Sequence, residues 1–181
     1  MAVQIGAKLD AGFDDPLGML RDCHRRIENF LRVLCQVAEN RQEGSLSPEE
    51  RIAVESSLEY FRTGGQRHNQ DEEESLFPRL QEIVGATELE RITNLEREHD
   101  EAGELHATVN RLFCRWIAAG SLEEKQHKCL LSATDRLRNL YAEHIQVEEN
   151  IVFPRAAASL DALSIAAIGS EFRARRSHPV E

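Results

Sequence analysis

The segment Arg67–Leu80 reads RHNQDEEESLFPRL, and Glu143–Ala156 reads EHIQVEENIVFPRA. Aligned at an offset of 76 residues, the two share His68/His144, Gln70/Gln146, Glu72/Glu148, Glu73/Glu149, Phe77/Phe153, Pro78/Pro154 and Arg79/Arg155, seven identities in fourteen positions. On a helix, residues four apart lie only about 40° from one another around the axis, so His68 shares a face with Glu72 and His144 with Glu148. Glu73 and Glu149 point about 140° away from their histidines and read as surface acids or as outer neighbours of the layer. The Phe-Pro pairs read as packing and helix-end devices beside it.

Outward from these segments the chain reads as helices joined by short loops. Asp15-Pro16 is a helix start, an N-cap followed by proline at the first helical position, and Leu17, Leu20, Ile27, Leu31 and Leu34 repeat along one face behind it. Ser47-Pro48-Glu49-Glu50 has capping-box spacing and opens a second helix through Ile52, Leu58 and Phe61 towards Pro78, with Gly64-Gly65 as its weak point. A third spans roughly 88–119, with Leu89, Ile92, Leu95, Leu105, Val109, Leu112 and Trp116 as its apolar stripe. Gly120-Ser121 closes it, and a fourth runs from about 122 to Pro154. A shorter helix is expected within 161–175. Five prolines and ten glycines, with no alternating strand pattern, make the expected class all-α: an up-down-up-down four-helix bundle with a short extra C-terminal helix. The expected organisation is a tail at 1–13, the bundle at 14–158, and the short helix and tail at 159–181.

The 181 residues suit one core, and no apolar run approaches the roughly 18 to 20 residues of a membrane span. The N-terminus lacks the basic and apolar regions of a secretory signal, so a short tail on a cytoplasmic protein is expected. Cys23, Cys35, Cys114 and Cys129 are far apart, without a Cys-x2-Cys pair, and read as small apolar residues. A net charge of -10 argues against nucleic acid and anionic membrane as partners. The basic stretch FRARR at 172–176 reads as a solvated tail.

Four histidines complete the pattern. His24 precedes His68 by 44 residues and His99 precedes His144 by 45, so antiparallel helices rising about 1.5 Å per residue bring all four imidazoles to one height. Glu72 and Glu148 share that level. Ionised carboxylates in a bundle core cost several kcal/mol each unless paired or bound to metal. Imidazole with carboxylate suits iron, manganese or zinc, and the lack of thiolate argues against copper(I). Six ligands exceed one tetrahedral zinc but suit two octahedral ions, each taking two histidines, with both glutamates bridging.

On these residues the chain resembles the hemerythrin-like (HHE cation-binding) domain family, through DCHRRIE around His24, HNQDEEESLFP around His68, EREHDE around His99 and EHIQVEENIVFP around His144. The resemblance covers roughly 14–158. It implies a non-haem, oxo- or hydroxo-bridged di-iron centre with His24, His68, His99 and His144 as nitrogen ligands and Glu72 and Glu148 as bridges. It further implies a small ligand such as O2, peroxide or NO, in sensing, scavenging or redox chemistry, peroxide or NO turnover included. The oxygen-carrying members place His-x3-His on the third helix and His-x4-Asp on the fourth. Here the third helix has His99 and Gly103, and the fourth has His144 and Glu148, which disfavours simple oxygen carriage. The repair branch has a cysteine-bearing module ahead of the domain, which this sequence does not show.

Other residues receive plainer readings. Glu28 is a candidate extra ligand, while His106 lies about 10 Å along the axis from His99, too far for the same ion. His127 and His178 read as surface residues and Tyr141 as a core tyrosine. Glu96-x-x-His99 has no second copy at the other three histidines of the layer, His24, His68 and His144, which disfavours the ferritin-like arrangement. Storage or donation of iron, repair of iron centres, and a metal-independent helical interaction module stand as alternative functions.

Overall fold

The computed structural model describes residues 10–40 and 44–177, and it is all-helical. Helix α1, Pro16–Glu39, opens with the Asp15 side chain accepting from the Gly18 N–H. The second rod is one continuous run built from α2 (Pro48–Tyr60), α3 (Gln66–Asp71) and α4 (Phe77–Gln81), joined by π-helical turns at Phe61–Gly65 and Glu72–Leu76. At its start Ser47 and Glu50 exchange reciprocal capping bonds. Helix α5, Ala86–Ala119, ends at Gly120, whose φ of 76° is the left-handed conformation that favours glycine at this position. The fourth rod joins α6 (Glu124–Val147) to α7 (Phe153–Ser159) through a π-turn at Glu148–Val152, and α8 follows at Ala162–Ser177. Helix α1 packs on α2 and α6, and α5 on α6, α2 and α4.

The Phe-Pro pairs are not helix ends. A proline inside an α-helix removes one ladder bond and clashes with the carbonyl four residues earlier. Before each Phe-Pro the helix widens instead: the Phe77 N–H donates to the Glu72 carbonyl and the Phe153 N–H to that of Glu148, each five residues back. Such π-turns are concentrated at functional sites. Here both begin on the glutamate of a His-x3-Glu pair. The Gly64-Gly65 weak point likewise becomes a π-turn that preserves the rod.

The apolar core lies in two halves. Ile27, Leu31, Leu34, Leu112, Phe113, Trp116 and Leu137 belong to one. Leu17, Leu20, Leu76, Phe77, Leu95, Phe153 and Phe172 belong to the other. Each fully buried side chain of this size contributes about 1.5–3 kcal/mol, and the six-residue histidine–glutamate layer sits between the halves in every rod. Two stripe assignments fail, since Ile52 is 64% and Leu89 41% exposed; each lies in the first two turns of its helix. FRARR is not a solvated tail. Phe172 is fully buried, while Arg175 and Arg176 bind the buried Asp71 at 2.9 and 2.6 Å, clasping α8 to the rod beside Glu72. Gly169 lets α8 also close on the segment ahead of α1, because a Cβ there would meet the Phe13 carbonyl oxygen. Of the cysteines, Cys23 and Cys35 are buried, but Cys114 and Cys129 are exposed. No helix among the described residues is long and apolar enough to cross a membrane.

Candidate metal centre

His24 is on α1, His68 on α3, His99 on α5 and His144 near the end of α6, while Glu72 and Glu148 open the two π-turns. None of the six is more than 5% exposed. Each imidazole turns Nε2 towards a carboxylate. His24 Nε2 is 3.0 Å from Glu148 Oε2 and His144 Nε2 is 3.3 Å from Glu148 Oε1. His68 Nε2 and His99 Nε2 lie 3.4 and 3.5 Å from Glu72 Oε2. Two groups of possible ligands result: His24, His68, Glu72 and Glu148, and Glu72, His99, His144 and Glu148, with the donor atoms of each group within 4.8 Å of one another. Both glutamates belong to both groups.

These contacts are not a hydrogen-bond network. Among the described residues, all four carboxylate oxygens of Glu72 and Glu148, together with His24 Nε2, lack a hydrogen-bond partner. A buried polar group left unpaired costs about 1–3 kcal/mol, more when charged. Donors that share an octahedral ion at metal–ligand distances near 2.1 Å stand about 3 Å apart, so the spacing suits cations lying between these atoms. His99 Nε2 and His144 Nε2 also face each other at 3.1 Å, where a proton or a cation must separate two lone pairs. The residues present fit a pair of metal ions.

Three of the four opposite ring nitrogens are tethered by carboxylates. His24 Nδ1 donates to Glu149 at 2.9 Å, His99 Nδ1 to Glu73 at 2.6 Å and His144 Nδ1 to Glu98 at 2.7 Å. Since a carboxylate accepts, each bond places the proton on Nδ1 and directs the Nε2 lone pair of the neutral ring inward. Glu73 and Glu149 thus take the outer-neighbour role, each on the histidine of an adjacent rod. Glu98 has no counterpart in the repeat and carries no sequence signal of this role. His68 Nδ1 has no hydrogen-bond partner among the described residues. Phe153 stacks on His24 and Phe77 on His99, at centroid distances of 5.4 and 6.3 Å, and both phenyl rings are fully buried.

Without metal the layer is electrostatically frustrated. Burial together with Glu148 raises the Glu72 pKa to about 7. Burial also opposes charge on Glu148, but His144 and His24 outweigh it and hold that carboxyl well below the usual range. Burial depresses His99 and His144, yet Glu72 and Glu73 lift the former to about 9, and Glu148 and Glu98 lift the latter to about 10. Burial, together with the neighbouring His24, His99 and His144, pushes His68 well below its ordinary value.

Several other residues fall outside this layer. Glu28 is exposed and joins neither group. His106 Nε2 pairs with the Tyr141 hydroxyl at 3.0 Å, and both line a cleft of about 250 Å³ with Phe61, Gly65 and Gly103. His127 is not a surface residue: it is 5% exposed and its Nε2 donates to the Ala38 carbonyl at 2.8 Å, satisfying one of the carbonyls that the last turn of α1 leaves unpaired. Its helix start offered no apolar signal of that burial. His178 lies outside the described residues.

Fold and site together define a helical protein with a buried histidine–carboxylate layer suited to metal ions. The chain belongs to the hemerythrin HHE cation-binding domain family, whose sequence model matches residues 15–156. A Haemophilus influenzae protein described as uncharacterized is 26% identical over 166 residues, 92% of each chain. The iron-sulfur cluster repair protein YtfE of Escherichia coli O81 is 34% identical over 96 residues, 50% of this chain and 41% of that protein. YtfE of Escherichia fergusonii is 33% identical over the same shares. The chain therefore matches less than half the length of these repair proteins.

Proposed function

We propose that this chain holds two non-haem iron ions within an up-down-up-down four-helix bundle. His24 and His68 hold one, His99 and His144 the other, and Glu72 and Glu148 bridge them. The centre binds O2, peroxide or NO, for sensing, scavenging or redox turnover. The observation that carries this reading is the pair of fully buried carboxylates, set among four inward-facing imidazoles, whose four oxygens lack hydrogen bonds among the described residues. Two ferrous ions supply the electrons that such ligands take up. The protein's part is to fix the donors and exclude water. Glu149, Glu73 and Glu98 orient three imidazoles, the Phe77 and Phe153 rings stack on His99 and His24, and a cleft lined by Gly103 and Tyr141 lies one turn along α5 and α6 from His99 and His144. The test is anaerobic loading with ferrous iron, followed by optical spectra under O2, peroxide and NO. New charge-transfer bands with at least one ligand support the reading, and an iron-loaded protein silent to all three refutes it.

A second reading, donation of iron or repair of iron centres, is favoured by the similarity to YtfE. It expects rapid loss of iron to chelators or to an acceptor protein. A metal-independent interaction module would take up no iron at all.

A further inference from the structure

The four imidazoles are not held alike. His24, His99 and His144 each donate from Nδ1 to a glutamate. His68, whose ring is almost fully buried, has no such partner among the described residues. The internal repeat shows where the difference arises. Glu73 and Glu149 are equivalent positions of the repeated segment, and each tethers the histidine of another rod. Glu98, which tethers His144, stands one residue before His99. The equivalent position, one residue before His24, is Cys23, a buried thiol in place of a carboxylate. The His99–His144 pair thus has both imidazoles tethered, and the His24–His68 pair only one.

A carboxylate on the far nitrogen fixes the ring and raises the basicity of the ligating nitrogen, and losing such a partner typically costs about 10–100-fold in metal affinity. We propose that the two metal positions are functionally unequal: the His24–His68 position exchanges its ion, and the His99–His144 position retains its own. The inference rests on the dinuclear reading given above. Its consequence is a centre that takes up or hands on one ion while the second, with the shared carboxylates, keeps the layer assembled.

The test is metal release from the full chain, loaded anaerobically with ferrous iron and mixed with excess bipyridine, followed by the absorbance of the ferrous chelate. Two phases are expected, each of one ion per chain, with rates at least about 10-fold apart. Glu98→Gln removes the carboxylate charge from the His144 tether and is expected to accelerate the slow phase towards the fast one. The Glu98 side chain is 38% exposed, so this variant retains the fold. Cys23→Glu supplies the missing carboxylate and is expected to slow the fast phase; should it fail to fold, Glu98→Gln decides alone. Release of both ions at a single rate, or a Glu98→Gln variant that accelerates only the fast phase, overturns the inference while leaving two ions in place. A chain that never takes up more than one ion overturns the dinuclear reading itself, and this inference with it.

Discussion

Replacing Glu72 by glutamine separates a metal ligand from a structural residue, because the two roles give opposite signs in the metal-free protein. Glu72 is fully buried, neither oxygen is hydrogen-bonded among the described residues, and its pKa rises from the ordinary 4.5 to about 7. That gap corresponds to about 3 kcal/mol. Because the folded-state pKa is the higher one, the folded chain keeps between pH 4.5 and 7 a proton that the unfolded chain has shed. Stability therefore falls as pH rises through this window; the penalty is absent below it and complete above it. Glutamine keeps the shape and cannot ionise. Metal-free Glu72→Gln is expected to be more stable than its parent at pH 8 by about 3 kcal/mol, or roughly 6–12 °C in Tm, with the difference closing towards pH 4.5. Iron reverses the order, since metal that binds only the folded state stabilises the parent and the variant loses most of that gain. Urea denaturation at the two pH values, with chelator and with ferrous iron, measures both effects. A metal-free variant less stable than its parent at pH 8 would refute the reasoning and make Glu72 a structural partner of its histidines.

Three further outcomes follow from the same geometry. Glu72→Ala and Glu148→Ala are expected to lose metal nearly completely, whereas Glu73→Ala and Glu149→Ala, which free only the far side of an imidazole, lose about 10–100-fold in affinity; equal losses by metal analysis would mean that the bridges are misassigned. With His99 raised to about 9, His144 to about 10 and Glu72 to about 7 in the metal-free chain, loading at pH 7 must expel protons, at least about two per chain, and affinity must rise with pH up to that range; calorimetry in buffers of different ionisation enthalpy measures this, and zero release contradicts it. Gly103 is exposed, and a Cβ there meets nothing within 4 Å, so Gly103→His is expected to fold, slow iron loss and suppress azide binding at the His99–His144 position; unchanged azide affinity in the iron-loaded variant would show that small ligands bind elsewhere.

The helices and the polar layer were legible because both depend on local periodicity. Asp15-Pro16 and Ser47-Pro48-Glu49-Glu50 announce their helices through backbone groups only a few residues away. The repeated His-x3-Glu places two side chains on one face whatever surrounds them. Glu73 and Glu149 carried a signal through repetition, although their partners on other rods did not follow from spacing. Glu98, His127 and the Arg175–Arg176 clasp on Asp71 were hidden for one reason: each meets a partner on another element, and nothing in its own sequence neighbourhood marks the meeting. The π-turns were equally hidden, because Phe-Pro reads as a stop unless the widened turn before it absorbs the proline. Ile52 and Leu89 erred in the other direction, since an apolar residue early in a helix satisfies the stripe without facing a neighbour.

The most direct test of the central claim is a crystal structure of the protein loaded anaerobically with ferrous iron, with anomalous diffraction recorded on both sides of the iron absorption edge. The account predicts two iron peaks in each chain, one between His24 and His68 and one between His99 and His144, with Glu72 and Glu148 each reaching both. A single peak, or metal bound elsewhere while these six side chains keep a metal-free arrangement, would contradict it.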